Sequence, residues 1–259
     1  MMLFGAGFIV TPSEAQALGL GKREGLERHV RPYRHGRDLL QTPRNALVID
    51  LFGLSEQQAR AQFPEVYQHV LRTVKPERDR NRDRDLRERW WQFGRVRTEL
   101  RPALEGLSRY IATVETAKHR IFQFLDAEIL PDNKLIAIGS DNAFHLGVLS
   151  SRIHVQWSLR AGGWIRVGND SVYVKSRVFG PFPFPDATAE QRERIAELVE
   201  ELDATRKQAL TDVPRLTMTE IYNWRELIAR GEQLEGASLD RATAARAFIV
   251  LRLSGLTVH

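Results

Sequence analysis

The region from residue 107 to residue 180 constrains the fold most, because short runs of β-forming residues alternate there with turn signals. We predict strands at Tyr110–Thr113, Ile121–Leu125, Leu135–Ile138, Val155–Leu159, Trp164–Val167 and Ser171–Val174. The turn signals are Pro131-Asp132-Asn133, Gly139-Ser140-Asp141, Gly162-Gly163 and Gly168-Asn169-Asp170. A helix is predicted among them, from Phe144 to Ile153. The region is therefore predicted to form a β-rich domain.

A proline-rich connector and a helical region follow. Proline alternates with phenylalanine over Pro181–Pro185, which predicts an extended segment held to a surface by its two rings. Thr188 and Gln191 have the spacing of a capping box at a helix start. The helix they open carries an apolar stripe and is predicted to run to about Leu210; the stripe is Ile195, Leu198, Val199 and Leu202. A second helix is predicted over Thr219–Arg230.

The first 75 residues are mixed in pattern. Strands are predicted at Phe8–Val10 and Ala46–Phe52, and helical character at Pro12–Leu20 and Glu56–Gln62. Helical spacing continues through Val66, Tyr67, Val70 and Leu71.

A charge-dense stretch covers residues 75–101, with ten Lys/Arg and six Asp/Glu. Two interpretations stay open. The stretch is either solvated, as the outer face of a helix or as a linker, or it is a stripe of charges that faces DNA phosphates. Trp90, Trp91 and Phe93 argue against a simple linker, because disordered charge runs rarely contain adjacent tryptophans. We expect the two tryptophans to belong to a core.

Composition excludes several classes of site. The chain contains no cysteine, so disulfides, cysteine-based zinc sites and thiol nucleophiles are excluded, as fits a cytoplasmic protein. The seven histidines are scattered and predict no metal site. No apolar run reaches the length of a membrane span, and the short apolar start is not expected to be a signal peptide. The net charge of +5 is a mild excess that suits a polyanionic partner.

No catalytic motif has a convincing instance in the sequence. No N-P-P-Y/F or D-P-P-Y loop is present, so no methylation site is predicted in this chain. Gly5-Ala6-Gly7 lacks a preceding strand and is interpreted as a plain turn, so no cofactor site is predicted. P-loop, G-x-S-x-G and metal-dependent nuclease patterns have no convincing instance, and Pro131–Lys134 is interpreted as a β-turn.

An ordered set of short segments from Gly5 to about Glu232 resembles the C-terminal half of MmeI-like adenine-N6 DNA methyltransferases. That family includes fused restriction–modification enzymes and solitary methyltransferases. Each segment alone is weak, but their order over most of the chain is a strong signal. The segments are Gly7–Pro12, Tyr33, Gly36–Leu39, Val48–Phe52, Val74–Arg78, Arg89–Trp91, Arg109–Ile111, Lys118–Arg120, Ile129–Asp132, His145–His154 and Pro181–Pro185.

The resemblance implies a domain plan and a partner. Residues 1–85 would follow an absent methyltransferase core and include the basic connector, 86–185 would form a target-recognition domain, and 186–259 a helical C-terminal region. The implied partner is double-stranded DNA, with a separate methyltransferase subunit as a further candidate, and the full-length enzyme would use S-adenosylmethionine. The tail after about Leu234 loses the family pattern, so we expect a truncated or frameshifted end or one piece of a split system.

The first candidate DNA-contacting residues are two cations. Lys118 and Arg120 stand at a predicted strand start, where cations are placed for phosphates, although a solvated strand end is an equal alternative. Arg152 and His154 close the predicted helix of residues 144–153. Of these two we expect Arg152 to be functional and His154 to be structural.

The strongest candidate is the segment from Arg166 to Arg177, which is predicted as strand, Gly-Asn-Asp turn and strand. In a strand, Lys175 and Arg177 would face one side. Arginine can bond guanine and asparagine can bond adenine, so Arg166, Asn169 and Arg177 have the chemistry of base readout. A cationic hairpin without a ligand is the alternative.

These observations predict an α+β fold, with a mixed, mostly antiparallel sheet flanked by helices and then a helical C-terminal region. The predicted function is a sequence-specific DNA recognition module that depends on a methyltransferase core. Two rivals remain. One is an interaction or remnant protein that docks on a partner methyltransferase subunit through the helix of residues 188–210, which an exposed apolar stripe would favour. The other is a small DNA enzyme with an unrecognised acidic cluster.

Overall fold

A computed structural model describes residues 2–165, 170–213 and 215–230. The chain forms two compact units, each built from separate segments. Unit 1 contains the residues up to His35, Pro43–Gly106 and Asp126–Asn133. Unit 2 contains Gly36–Thr42, Leu107–Leu125 and the described residues from Lys134 onward.

The strands in the described part of the chain are short. In chain order they are β1 (Ile9–Val10), β2 (Val30–Arg34), β3 (Leu47–Ile49), β4 (Arg109–Val114), β5 (Thr116–Ala117), β6 (Gln123–Asp126), β7 (Leu130–Pro131), β8 (Leu135–Ile138), β9 (Gly163–Ile165) and β10 (Asp170–Val172).

The helices are more varied in length. They are α1 (Pro12–Ala17), α2 (Gly36–Leu40), α3 (Glu56–Gln62), α4 (Pro64–Thr73), α5 (Lys75–Asp79), α6 (Arg84–Glu88), α7 (Leu100–Leu104), α8 (Ala143–Ser150), α9 (Arg152–Ala161), α10 (Lys175–Val178), α11 (Ala189–Asp212) and α12 (Met218–Ala229). Two 3-10 helices cover Ala6–Phe8 and Leu26–Arg28. None of the helices in the described ranges is long and apolar enough to cross a membrane.

Unit 1 is built on a four-stranded sheet with the order β1-β3-β2-β7. β3 pairs antiparallel with β1 and β2, whereas β7 lies parallel to β2. The Tyr33 hydroxyl of β2 donates a hydrogen bond of 2.6 Å to the buried Asp132 carboxylate just after β7. This bond adds to the two-residue pairing that holds β7 at the sheet edge.

The charge-dense stretch belongs to unit 1 and pairs several of its own charges. Ion pairs join Lys75 to Asp79 at 2.7 Å, Arg84 to Glu88 at 2.6 Å and Arg89 to Asp85 at 3.0 Å. These pairings favour the solvated-face interpretation. Trp90 is buried in the core of unit 1, and Trp91 is half-buried and donates its indole N–H to the Leu54 carbonyl at 3.0 Å. The expectation that the tryptophans belong to a core is confirmed for Trp90.

Unit 2 contains two three-stranded sheets, with the orders β6-β4-β8 and β5-β10-β9. β4 and β8 pair antiparallel, with Ile111 opposite Ile138. β10 pairs antiparallel with both of its neighbours, so that Ser171 lies opposite Ala117 and Trp164. The predicted α+β class with mostly antiparallel pairing is confirmed, but the described residues form three small sheets in place of one.

Helices α8 and α11 form the largest helical contact in unit 2. α8 is apolar almost all round and buried, and a Cβ added at Gly147 would lie 2.3 Å from Cγ2 of Ile195. The two helices can therefore approach this closely only because residue 147 is glycine. The predicted capping box is present, with Thr188 and Gln191 each bonding the other's backbone N–H.

The apolar stripe of α11 packs inside unit 2. Val199 and Leu202 are buried, and Ile195 and Leu198 are half-buried. The stripe therefore does not offer the exposed face that the docking alternative requires. The helix continues to Asp212, slightly beyond the predicted end at Leu210.

Two strand predictions in unit 2 are wrong, and the single helix predicted over Phe144–Ile153 is divided between α8 and α9. Val155–Leu159 was predicted as a strand but lies within α9, because Ser151 ends α8 and its hydroxyl caps α9 by accepting from the His154 N–H at 3.2 Å. The strand predicted over Ser171–Val174 ends at Val172. Residues from Lys175 then form the helical turn α10, in which the Val178 N–H donates to the Val174 carbonyl at 2.8 Å.

Candidate functional site

Arg120 lies inside unit 2, with only 6% of its surface exposed. Its guanidinium donates to the Val114 carbonyl and to the Thr113 hydroxyl on β4, and to the Ser171 carbonyl (2.9 Å) and hydroxyl (3.1 Å) on β10. Burial lowers the pKa of Arg120 to about 10, which leaves it charged at neutral pH. The placement corrects the expectation of a phosphate contact: the guanidinium points inward and joins β4 to β10.

His154 and Tyr173 extend this buried cluster, which we call the Arg120 cluster and define as Arg120, His154, Ser171 and Tyr173. Nδ1 of His154 lies 2.8 Å from the Leu149 carbonyl, and Nε2 lies 3.1 Å from the Tyr173 hydroxyl. A carbonyl only accepts, so Nδ1 carries the proton and Nε2 accepts from the tyrosine. Burial lowers the pKa of His154 to about 4, so the ring is neutral at pH 7. The expectation that His154 is structural is confirmed.

Lys118 is exposed after β5 but already has partners in unit 2. Its Nζ lies 2.6 Å from the Asn223 side-chain oxygen and 3.4 Å from a Glu226 carboxylate oxygen, both on α12. Asn223 also lies 2.8 Å from Nε2 of His119. A phosphate that approached Lys118 would compete with these contacts.

The sheet register separates Lys118 from Lys175 and Arg177. Ala117 lies opposite Ser171 on β10, so Lys118 follows at the end of the sheet where β10 begins. Lys175 and Arg177 come after the other end of β10, where Val172 lies opposite Gly163. The predicted cations thus do not form one row along the sheet. Arg166 and Asn169, also predicted as base-reading residues, lie outside the described residues.

Three of the predicted site residues are exposed and have no side-chain partner among the described residues, namely Arg152, Lys175 and Arg177. Arg152 is the first residue of α9, and the other two lie on α10. Among the residues that the structure describes, none of these three side chains has a hydrogen-bond or ion-pair partner. The two helices are joined where the Trp157 indole N–H donates to the Val178 carbonyl at 3.0 Å.

Sequence reasoning missed most of the exposed face of α9. His154 and Ser158 are buried, whereas Arg152, Ile153, Gln156, Trp157 and Arg160 are exposed. With about 100° between successive residues, these five positions occupy one continuous arc of the helix. The spacing of Arg152, Gln156 and Arg160 at i, i+4 and i+8 was a helical signal, but the alternation of Val155, Trp157 and Leu159 led to a strand prediction. We call the exposed residues of α9 and α10 together the α9–α10 surface.

The chain around this surface is nearly free of acidic residues. Residues 142–185 contain five Lys/Arg but a single acidic residue, Asp170, whereas the whole chain has 33 acidic residues among 259. Exposed cations on helices that carry no carboxylate of their own favour an anionic partner. No group of three or more residues suited to hold a metal ion occurs within residues 2–165, 170–213 and 215–230.

Comparison with known proteins places the sequence of this chain in a family. The sequence family described as MmeI, target recognition domain, matches residues 1–186. The chain belongs to the MmeI target recognition domain family. The family resemblance predicted from the sequence is thereby confirmed, while the domain boundaries at residues 85/86 and 185/186 stay predictions. No curated protein matches the chain.

A solved structure supports the fold of this MmeI-family chain. The Type IIL restriction-modification enzyme MmeI in complex with DNA matches with a TM-score of 0.67 and 18% sequence identity. The match covers 100% of this chain but 32% of the MmeI chain. At this identity the likeness concerns the fold. The residues of the α9–α10 surface all lie within the segment that matches the family.

Proposed function

We propose that this chain recognises a specific DNA sequence as the target-recognition part of a restriction–modification enzyme. The observation that carries the proposal is the α9–α10 surface, which lies within the segment that matches the MmeI target recognition domain. There Arg152, Lys175 and Arg177 are exposed and have no partner among the residues that the structure describes. MmeI itself was solved in complex with DNA. A family of target-recognition domains and an acid-poor cationic surface both favour double-stranded DNA as the partner.

Unpaired cations suit DNA binding for an energetic reason. Each Lys or Arg that meets a phosphate releases condensed counterions, which is the main source of non-specific affinity. A cation that already holds a carboxylate, such as Arg84 with Glu88, must first give up that partner. Arg152, Lys175 and Arg177 have no such partner to lose among the described residues, so they are the better candidates for phosphate contacts.

We further propose that the complete enzyme is adenine-specific and methylates at N6 with S-adenosylmethionine. Its methyltransferase core would lie outside this sequence, either on a longer chain or on a separate subunit. The proposal rests on the resemblance of the ordered segments and on the 32% share of the MmeI chain that this chain matches. Within the recognition part, Lys118 remains a candidate for phosphate contact, and Arg166 and Asn169 remain candidates for base contact. We expect the enzyme to act in the cytoplasm.

Salt dependence of DNA binding tests the recognition function. Wild-type protein is titrated with random-sequence duplex DNA at several salt concentrations, beside a triple variant with Arg152→Gln, Lys175→Gln and Arg177→Gln. Each phosphate contact contributes about 0.9 to the slope of log affinity against log salt. The triple variant is expected to lose about 2 to 3 from that slope and to bind more weakly at every salt concentration.

A matched variant controls for net charge. Lys22→Gln, Arg80→Gln and Arg82→Gln remove the same charge from exposed cations of unit 1 that have no ion-pair or hydrogen-bond partner for their side chains among the described residues. This control is expected to bind with nearly the wild-type slope. If both triple variants lost the same amount of salt slope, the DNA interface would also include the charge-dense stretch. No binding of wild-type protein at low salt would refute DNA recognition by this chain.

A further inference from the structure

We infer that α9 is the element that reads DNA bases, with its exposed face in the major groove and Gln156 at the centre of the readout. This inference rests on the proposed DNA-recognition function. Beyond that function, it states which groove is read, which helix reads it and which residues set the sequence preference. Those residues include Gln156 and Arg160. Neither residue was expected to contact DNA when this segment was predicted as a strand.

The exposed arc of α9 consists of two parallel rows. Arg152, Gln156 and Arg160 are spaced by four residues and form a polar row, and Ile153 and Trp157 form an apolar row beside it. Ile153 is 71% exposed and Trp157 is 36% exposed. Gln156 and Arg160 have no side-chain partner among the described residues. No described residue therefore occupies the side chains of the polar row, which suits them to bond a ligand.

The length of the polar row matches a short stretch of base pairs. At about 1.5 Å of rise per residue, Arg152 and Arg160 are separated by about 12 Å along the helix axis. Successive base pairs are about 3.4 Å apart, so the row spans about three to four base pairs. A major groove about 12 Å wide admits an α-helix, whereas a minor groove about 6 Å wide does not. The helix is therefore suited to the major groove.

The side chains of the two rows match the chemistry of base edges. Glutamine can form two bonds with adenine, and arginine can form two with guanine, so Gln156 and Arg160 can tell base pairs apart, while Arg152 at the helix start can hold a phosphate. Ile153 can contact a thymine methyl group. Trp157 is held by its hydrogen bond to the Val178 carbonyl, which fastens α9 to α10. Lys175 and Arg177 on α10 can then hold phosphates, which position the helix without reading sequence.

Charge argues for DNA over a protein partner at this face. The apolar row contains only Ile153 and Trp157, whereas the polar row contains two arginines and no acidic residue lies on α9 or α10. An amphipathic protein helix would need a wider apolar face. Two unpaired guanidinium groups buried against an apolar partner would also be costly. DNA matches both rows, because its phosphates and polar base edges can bond the polar row and its thymine methyl groups can contact the apolar row.

Selection from a pool of random duplexes tests the inference on the whole chain. The preferred sequence of the wild-type protein is determined first, and the Gln156→Ala variant is then profiled on the same pool. Gln156 is exposed and alanine is a better helix former, so the variant is expected to fold. We expect its preference for the wild-type base to fall by about 10- to 100-fold at a single base pair of the site. The preferences at the other base pairs and the salt slope of binding should stay unchanged.

The Lys175→Gln variant is the matched control, because Lys175 is proposed to hold a phosphate. It should bind all sequences more weakly, keep the wild-type profile and lose about 1 from the salt slope. If Gln156→Ala and Arg160→Ala both keep the full wild-type profile, α9 does not read bases, while the proposed DNA recognition stands. If instead the wild-type protein forms a dimer that Ile153→Asp dissociates, and the DNA profile of that variant is unaltered, this face binds protein. Failure of the wild-type protein to select any sequence would overturn the proposed function and this inference with it.

Discussion

Replacement of Arg120 with alanine is expected to destabilise unit 2 by about 4 kcal/mol. The change leaves the carbonyls of Val114 and Ser171 without their buried donor, at about 1 to 3 kcal/mol each, and it opens a cavity in the sheet region. The free energy of unfolding, measured by urea denaturation, checks the prediction. An Arg120→Met variant fills most of the volume and so separates the lost hydrogen bonds from the cavity.

The neighbouring Lys118 supplies the control for Arg120. Lys118 is exposed and its contacts with α12 lie at the surface, so Lys118→Ala should change the free energy of unfolding by less than about 1 kcal/mol. DNA binding separates the two possible roles of Arg120. If Arg120→Met were as stable as wild type but lost part of the salt slope of DNA binding, Arg120 would be a phosphate contact, as the sequence suggested.

Acidification from pH 7 to pH 4 is expected to remove about 3 kcal/mol of stability through His154. The ring has a pKa of about 4 in the folded chain and about 6.5 when unfolded. The unfolded chain therefore takes up a proton over this interval while the folded chain does not. The stabilisation is complete above pH 6.5, falls as the pH is lowered toward 4, and changes no further below that value.

Urea denaturation at a series of pH values measures this effect. The His154→Gln variant keeps a donor for the Leu149 carbonyl and an acceptor for the Tyr173 hydroxyl, but it cannot titrate. The difference in stability between the two proteins should therefore shrink as the pH falls from 6.5 to 4. A constant difference over that range would mean that His154 titrates alike in the folded and unfolded chains.

Several elements were predictable because local pattern and tertiary environment agree. Leu135–Ile138 is a run of β-formers between turn signals, and it forms β8 with the predicted bounds. Thr188 and Gln191 fix the start of α11 through bonds within a single turn, so no distant contact was needed to predict that start. Glu56–Gln62 was likewise predicted in full from its helical pattern, and the structure adds a capping box of Ser55 and Gln58 at its start.

The errors fall where distant contacts overrule local pattern. Val155, Trp157 and Leu159 alternate like strand residues, but the burial of His154 and Ser158 against the rest of unit 2 selects a helix. Lys118, His119 and Arg120 look alike as a cationic triplet. Only the acceptors on β4 and β10 show that Arg120 turns inward while Lys118 stays at the surface. Local sequence pattern alone therefore does not show in which direction a charged side chain points.

The division of α9 into a buried side and an exposed side has an evolutionary consequence. His154 and Ser158 on the buried side and the Ser151 cap secure the helix, whereas the exposed Gln156 and Arg160 have no side-chain partner within the described ranges. Surface substitutions away from packed groups usually change stability by less than about 0.5 kcal/mol. Mutations at these exposed positions can therefore accumulate without loss of the folded protein. If α9 reads bases as we propose, a lineage of such proteins could change its DNA target one residue at a time while the buried residues stay constant.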